Sequence, residues 1–163
     1  MAPLPVEGTF FAETYRSEAT APGGGPAGTA GLGLFCDDPP SRSLFHRLAF
    51  DEVWHFYAGD SLRLVLLHTD GSDEEVVLGG DVPGGATLQH VVPAGVWQAA
   101  ELVPGGRWSL FCCTMAPGFV PACFEGGRVA DLLATHPARA TDIQRLAVPE
   151  SEAATMPDER RGG

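Results

Sequence analysis

The sequence predicts an all-β protein, a sandwich or small barrel of about eight to ten short strands with one short helix near the C-terminus. Three observations support this prediction. The 163 residues include 21 glycines and 14 prolines, a density of turn formers that suits many short strands better than a helical bundle. Turn signals recur about every eight to twelve residues, and several segments between them alternate apolar and polar side chains. The length favours one domain.

The first third of the chain predicts two strands separated by a loop. Residues 11–16 alternate with the period of two that a strand requires. Residues 19–31 consist mostly of Gly, Ala and Pro and predict a flexible loop. The apolar run at residues 32–36 predicts the next short strand.

The remaining elements follow from apolar runs bounded by turn residues. Asp70-Gly71 predicts a tight hairpin turn, and the apolar spacing in residues 127–135, which stops before Pro137, predicts the helix. Residues from about 149 onward are charged without an apolar face and predict a disordered tail. The other predicted strands are residues 44–48, 53–57, 62–68, 75–78, 87–92, 96–103 and 107–115.

Charge and composition exclude several classes of function. The formal net charge is −11, and because phosphate binding requires a basic surface, we expect no nucleic-acid partner. All ten basic residues other than histidine are arginine. Without a lysine, Schiff-base chemistry, a pyridoxal anchor and a phosphate-binding loop lysine are excluded.

The cysteines and the N-terminus bear on the compartment. Cys36, Cys112, Cys113 and Cys123 show no Cys-x-x-Cys spacing and predict free thiols in a reducing compartment. No apolar run approaches the roughly 20 residues of a membrane span, and no secretory signal is visible. We therefore expect a cytoplasmic protein without a membrane partner.

Residues 43–59 concentrate the side chains that could carry chemistry. A metal site would draw on His46, Glu52, His55, His90 and Gln98. However, strand alternation places Glu52 with Trp54 and Phe56 on one face of their strand and His55 with Tyr57 on the other. Glu52 and His55 therefore cannot both point into one cavity without a bulge, and a metal site stays one alternative among others.

Proton transfer needs fewer residues than a metal site. His46, oriented by Asp51 or Glu52, would act as the general base, and Tyr57 or Tyr15 would return the proton as the acid. The alternative is that His46 and His55 are core histidines hydrogen-bonded to backbone carbonyls. Further candidate ligand-binding residues are Arg47, Trp54, Phe56, His55, Trp97, Gln98 and Glu13. For Glu13, a plain surface ion pair with Arg16 is the alternative to a role at the pocket.

Several runs of residues together resemble a known superfamily. They are Phe-His-Arg at 45–47, Asp-Glu-Val-Trp-His-Phe at 51–56 and Val-Pro-Ala-Gly-Val-Trp-Gln-Ala-Ala at 92–100, with further similarity at 7–17 and 113–119. The chain resembles the cupin superfamily, and within it the small single-domain cupins of unassigned function. The resemblance implies a conical double-stranded β-helix, or jelly roll, over residues 4–126, one domain over 1–137 and a C-terminal extension over 138–163. It also implies a homodimer, because pairing covers an exposed sheet face.

The departures from the metal-binding cupins concern the ligands. Leu44 stands where the first histidine of their motif is expected, and Gln98 stands where the later histidine is expected. Because leucine is not a ligand and a glutamine amide is a poor one, we expect less than one metal ion per chain on purification. If a metal is bound, His46, Glu52 and Gln98 would have to hold it. Three classes of function remain: a metal-independent isomerase, epimerase or lyase with a His base and a Tyr acid, similar to the sugar-nucleotide epimerase cupins; a non-catalytic small-molecule-binding protein; and a metal-dependent oxygenase-type cupin.

Overall fold

The computed structural model describes residues 1–157, and in these residues two antiparallel sheets pack face to face. The strands are, in chain order, Ala2–Pro3 (β1), Phe10–Arg16 (β2), Thr29–Cys36 (β3), Ser43–Leu48 (β4), Glu52–Gly59 (β5), Leu62–Leu67 (β6), Asp73–Leu78 (β7), Gln89–Val92 (β8), Trp97–Leu102 (β9), Trp108–Met115 (β10) and Phe124–Gly126 (β11). Two short helices follow, Val129–Thr135 (α1) and Ala140–Leu146 (α2). Short 3-10 turns lie at Pro121–Cys123 and Pro137–Arg139.

The strand order is that of a jelly roll. One sheet has the order β1-β2-β3-β10-β5-β8 and the other the order β11-β4-β9-β6-β7. Strands far apart in the sequence are thus neighbours, as in a double-stranded β-helix. The predicted all-β jelly roll with a short C-terminal helix is confirmed, and α1 lies within the predicted 127–135.

Glycines allow aromatic rings to lie flat on strand β3. A Cβ atom built on Gly31 would come within 2.0 Å of the Phe11 ring, and one built on Gly33 within 2.3 Å of the Phe111 ring. Both positions therefore need the absence of a side chain, because the rings occupy that space. Since β3 begins at Thr29, the end of the loop predicted for residues 19–31 is strand instead.

The core between the two sheets is aromatic at its centre. Trp54 stacks on Phe111 at 4.8 Å between ring centroids, and Phe35 lies 4.6 Å from Phe111. Leucines at alternate positions of β6 complete this cluster, because residues two apart on a strand face the same way. This packing fills part of the space between the sheets, and Trp54 and Phe111 also form a wall of the cavity described below.

The C-terminal segment belongs to the packed body of the protein. The outer face of the five-stranded sheet presents Phe45, Val65 and Leu67 to the two helices, and Ile143 and Leu146 of α2 are fully buried against them. The domain predicted to end at residue 137 therefore packs with the first eleven residues of the predicted extension. Of the predicted disordered tail, residues 149–157 are described and 158–163 lie outside the described residues.

Ion pairs surround α2. Arg63 of β6 lies 2.9 Å from the Asp142 carboxylate and 3.1 Å from that of Glu101, and Arg145 pairs with both acids. Because Asp142 and Arg145 lie beside the apolar residues of α2 in the sequence, the apolar face of this helix is difficult to recognise from the sequence alone. Within residues 1–157 no helix has the length and apolar character needed to span a membrane.

The outer face of the six-stranded sheet is apolar and uncovered in the single chain. Leu34 faces Leu110 across the β3–β10 pair, Val53 faces Val91 across the β5–β8 pair, and Trp108 is 47% exposed. Exposed apolar surface of this kind favours burial in an interface. The homodimer remains a prediction, and the outer face of the six-stranded sheet is the surface that we expect it to bury.

We expect a sedimentation mass of twice the 17.1 kDa chain at micromolar concentration. Leu110→Glu should shift the protein to the monomer, because it places a charge at the centre of the apolar face. Val82→Glu, at a residue 50% exposed outside both sheets, is the matched control and should leave the dimer intact. A single-chain mass for the wild type at that concentration would contradict the prediction.

Candidate functional site

A cavity of about 440 Å³ opens between the two sheets next to the aromatic core, whose Trp54 and Phe111 form part of its wall. Its size is within the range of about 300–1,000 Å³ found for small-molecule pockets. Side chains from both sheets line it, and the N-terminal segment at residues 2–7 and Met156 near the C-terminus close over it. Its polar lining includes Glu7, Glu13, Arg16, His46 and Glu52.

His46 points into the cavity because β4 carries a bulge. Ser43 pairs with Ala100 and His46 pairs with Gln98 on β9, so β4 has one more residue than β9 over this interval. The irregularity allows Phe45 to pack under the helices while its neighbour His46 lines the cavity. Strand alternation predicts that successive side chains point to opposite faces, but it does not predict that both faces are buried at this position, one under the helices and the other in the cavity.

The environment of His46 determines which of its ring nitrogens is basic. Nδ1 lies 2.9 Å from the carbonyl oxygen of Leu44, and because a carbonyl only accepts, Nδ1 carries the proton. Nε2 then holds the lone pair, and no residue among 1–157 hydrogen-bonds to it. The ring stacks on Phe124 at 5.1 Å and is only 3% exposed. A neutral His46 is therefore a hydrogen-bond acceptor facing the cavity.

Glu52 is held by a chain of hydrogen bonds from two other buried side chains. Trp54 Nε1 donates to Gln98 Oε1 at 2.8 Å, and Gln98 Nε2 donates to Glu52 Oε2 at 2.8 Å. Burial raises the pKa of Glu52, and the charge of Glu7 raises it further, against the opposing effects of His46 and the hydrogen bonds. The Glu52 carboxyl thus keeps its proton to a higher pH than an exposed glutamate.

Two further cavity residues, Glu7 and Cys113, were not among the candidates from the sequence. Glu7 Oε1 accepts hydrogen bonds from Ser43 Oγ at 2.8 Å and from Thr9 Oγ1 at 2.5 Å. Burial, with the nearby Glu52 and Glu7 charges, raises the pKa of the Cys113 thiol well above its usual value, so this thiol stays protonated. The similarity to the cupin family at residues 7–17 includes Glu7 but assigns it no role, whereas the alternation of β10 could have placed Cys113 on the inner face.

Glu13 and Arg16 form an ion pair that lines the cavity. Arg16 Nε and Nη2 donate to the two Glu13 carboxylate oxygens at 2.9 and 2.7 Å, and Nη1 donates to the Phe119 carbonyl oxygen at 3.1 Å. The pair is about one-third exposed and also borders the pocket, so the surface ion pair and the role at the pocket both stay open for Glu13. Tyr15, between them, is 56% exposed and does not line the cavity.

His55 and Tyr57 lie on the opposite face of β5 from the cavity. His55 Nε2 lies 2.9 Å from Thr114 Oγ1 and its Nδ1 lies 3.0 Å from Gln89 Nε2, and burial lowers its pKa. A hydrogen bond with Cys112 raises the pKa of Tyr57, whose side chain is exposed. The prediction that Tyr57 or Tyr15 acts as the acid in the cavity is therefore corrected. Strand alternation turns Tyr57 outward on β5, and Tyr15 is exposed on β2.

The remaining predicted contacts are distributed outside the cavity. Arg47 pairs with Glu125 at 2.7 Å and lies 4.6 Å from the centre of the Trp97 ring, away from the cavity lining. Phe56 packs against the aromatic core instead of the cavity. Of the predicted aromatic wall, only Trp54 lines the pocket, because Trp97 follows the outward alternation of β9.

The residues present do not fit a cupin metal site. The only Gln98 atom able to bind a metal, Oε1, already accepts the Trp54 N–H, which leaves His46 and Glu52 as donors. No group of three His, Cys, Asp or Glu side chains suited to a metal occurs in residues 1–157. Stable divalent sites use more ligands than two. Low metal content on purification remains a prediction.

We expect Glu52→Gln to stabilise the fold more at pH 8 than at pH 5. Because the folded-state pKa of Glu52 is raised, its stabilising contribution is complete below the unfolded pKa of about 4.3 and is lost as pH rises through the folded pKa. Each pKa unit corresponds to about 1.4 kcal/mol. Glutamine resembles the protonated carboxyl and does not ionise.

Urea unfolding of both proteins at the two pH values measures this difference. Glu150→Gln, at an exposed position, controls for the change in net charge and should show the pH dependence of the wild type. A Glu52→Gln effect of equal size at both pH values would show that the ionisation of Glu52 does not oppose folding.

Comparison with known proteins identifies relatives over nearly the whole chain. The family model described as Cupin_5: Cupin superfamily (DUF985) matches residues 1–126. The crystal structure of protein SO0799 from Shewanella oneidensis is 33% identical, with a TM-score of 0.82 over 90% of this chain and 91% of that one. A hypothetical protein from Leishmania major is 28% identical, with a TM-score of 0.79 over 88% and 91% of the two chains. No curated protein matches.

Proposed function

Since this chain belongs to the Cupin_5 (DUF985) family of the cupin superfamily, we propose that its cavity binds a small organic molecule and transfers a proton on it. His46 is the base and protonated Glu52 is the acid. The observation that carries the proposal is the unpartnered Nε2 of a buried histidine, within the described residues 1–157, facing a cavity of about 440 Å³. The reaction class is a metal-independent isomerisation, epimerisation or elimination.

The first step uses the lone pair of His46. Its Nε2 would remove a proton from a carbon next to a carbonyl group, and the electron pair of the broken C–H bond would move onto the carbonyl oxygen. The Leu44 carbonyl oxygen, 2.9 Å from Nδ1, supports the positive charge that develops on the ring. Phe124 holds the ring plane in position.

The second step uses the proton of Glu52. Because its pKa is raised by burial, the carboxyl group can donate to the developing oxyanion, and the hydrogen bond from Gln98 stabilises the carboxylate that forms. Return of the His46 proton to a neighbouring hydroxyl-bearing carbon, while the Glu52 carboxylate takes up the proton of that hydroxyl group, would complete an isomerisation and restore both residues. Delivery of a proton from solvent to the opposite face of the original carbon, with the His46 proton lost to solvent and the oxygen-bound proton returned to Glu52, would complete an epimerisation. Two titratable groups with different environments supply the base and the acid, as this chemistry needs.

The cavity walls would strengthen both steps. Trp54, Phe111 and Phe124 line the pocket, and an apolar surrounding increases the effect of each charge and each hydrogen bond. The same lining supports non-catalytic binding of a small molecule, which is the alternative function. The oxygenase alternative is weaker because the Gln98 oxygen is engaged by Trp54.

The proposal is tested by hydrogen exchange with solvent, which needs no knowledge of the product. Small ketones, aldehydes and hydroxy-ketones are incubated with the protein in D₂O, and loss of the α-proton signal is followed by NMR. We expect exchange above the buffer rate for at least one compound. Compounds that bind in an NMR titration and none of which exchanges would support the non-catalytic alternative.

A further inference from the structure

We propose that the ligand of this cavity carries a protonated amine, which binds the Glu7 carboxylate beside the protonated carboxyl group of Glu52. The inference rests on the proposed function, because it assigns a substrate class to the same cavity. Under the proposed proton transfer, an amino ketone or amino aldehyde would meet both requirements. Anions, including phosphorylated compounds, are rejected.

The charges of the lining are the first argument. Three carboxyl groups border the cavity, those of Glu7, Glu13 and Glu52, against the single arginine Arg16 among the described residues. That guanidinium group already makes two hydrogen bonds to Glu13 and one to the Phe119 carbonyl oxygen. Because Glu13 is paired with Arg16 and Glu52 is protonated, the charge that an anionic ligand would meet is that of Glu7. At low dielectric, like charges repel more strongly than in water.

The hydrogen-bonding capacity of the cavity is the second argument. His46 Nε2 is an acceptor, and among residues 1–157 it has no partner. Glu7 Oε2 likewise has no hydrogen-bond partner among the described residues, since its hydroxyl donors both contact Oε1. The nearby donors of Trp54 and Gln98 are already used within the protein. An ammonium group has several N–H donors and a positive charge, so it satisfies the free oxygen of Glu7 and leaves His46 Nε2 to the neighbouring C–H bond.

The position of Glu7 is the third argument. Val6, directly before it, has a φ of 67°, a left-handed conformation that is costly for a β-branched residue. The two hydroxyl groups of Ser43 and Thr9 then fix the Glu7 carboxyl. The backbone thus adopts a strained turn next to the carboxyl group that the ligand would contact.

The experiment compares three probes of similar size and different charge. Cyclohexylamine, cyclohexanol and cyclohexanecarboxylate are titrated separately into the protein at about pH 7.5 and followed by protein NMR. We expect the ammonium probe to bind at least about tenfold more tightly than the alcohol, which corresponds to about 1.4 kcal/mol, and the carboxylate to bind more weakly than the alcohol.

Variants locate the selectivity. Glu7→Gln should weaken binding of the ammonium probe about tenfold and leave the alcohol within about twofold, because glutamine still accepts from Ser43 and Thr9 but carries no charge. Glu150→Gln, which is exposed and outside the cavity lining, makes the same change in net charge and should change neither affinity.

The outcomes separate this proposal from the proposed function. An ammonium probe that binds no better than the carboxylate overturns the proposal, and so does a Glu7→Gln effect of equal size on all three probes. If His46-dependent exchange of a carbonyl compound persists in that case, only the substrate class is wrong. If the charge selectivity is found but no compound exchanges, the substrate class holds and the proton transfer is wrong.

Discussion

Replacement of His46 by asparagine is expected to lower the exchange rate by about 10²–10⁴ with the fold intact. The asparagine side chain is shorter than histidine, but its amide can donate near the Leu44 carbonyl oxygen, as His46 Nδ1 does at 2.9 Å. What the substitution removes is the basic Nε2 in the cavity. Because the other described histidines do not line the cavity, no second imidazole among them can replace it.

The rate is measured as α-proton loss in D₂O with the compound that the wild type exchanges best. His68→Asn is the matched control, since His68 lies at the surface near Glu74 and should keep the wild-type rate. Circular dichroism and thermal melting report the fold. A His46→Asn protein that melts normally and keeps its full rate removes His46 from the mechanism. A large loss of thermal stability would instead favour a structural histidine.

The part of the site that alternation specifies could be predicted from the sequence. Glu52 and Trp54 are two residues apart on one strand, so they share its inner face, and both line the cavity. The same rule places His55 and Tyr57 outward. The prediction that Glu52 orients His46 while Tyr57 acts as the acid in the same cavity therefore conflicts with the alternation in the sequence itself, and Tyr57 is exposed as that alternation requires.

Other features of the site depend on backbone irregularities that leave no pattern in one sequence. The bulge in β4 separates the directions of Phe45 and His46, and the left-handed conformation of Val6 precedes the inward-facing Glu7. Valine rarely adopts that conformation, so the sequence gives no reason to expect it. Gln98 is a candidate from the sequence, but only the structure shows that it lies behind the cavity lining, with its oxygen on Trp54 and its nitrogen on Glu52.

The limit of the domain was harder to predict than its fold because charge conceals an apolar face. Ile143 and Leu146 have helical spacing, but Asp142, Gln144 and Arg145 surround them in the sequence. The charges are explained by the structure, since Asp142 and Arg145 join the ion pairs with Arg63 and Glu101. A segment of seven helical residues with this composition resembles a solvated tail until its partners are known.

Ile143→Ala is expected to destabilise the protein by about 2–5 kcal/mol, because Ile143 is fully buried between α2 and the five-stranded sheet. The loss combines the transfer of the missing methylene and methyl groups with the cavity left beside Val65 and Leu67. Gln144→Ala, one residue further and exposed, should stay within about 0.5 kcal/mol of the wild type.

Urea unfolding followed by tryptophan fluorescence gives both values, because Trp54 and Trp97 report the core and the helix-covered face. An unchanged slope with a lower midpoint would show a loss of stability instead of a change in the unfolded state. If the two variants unfold at the same midpoint, the packing of α2 does not contribute to the free energy of unfolding. A domain ending at residue 137 would then be sufficient for a stable fold. The burial of Ile143 and Leu146 against β4 and β6 leads us to expect a clear difference between them.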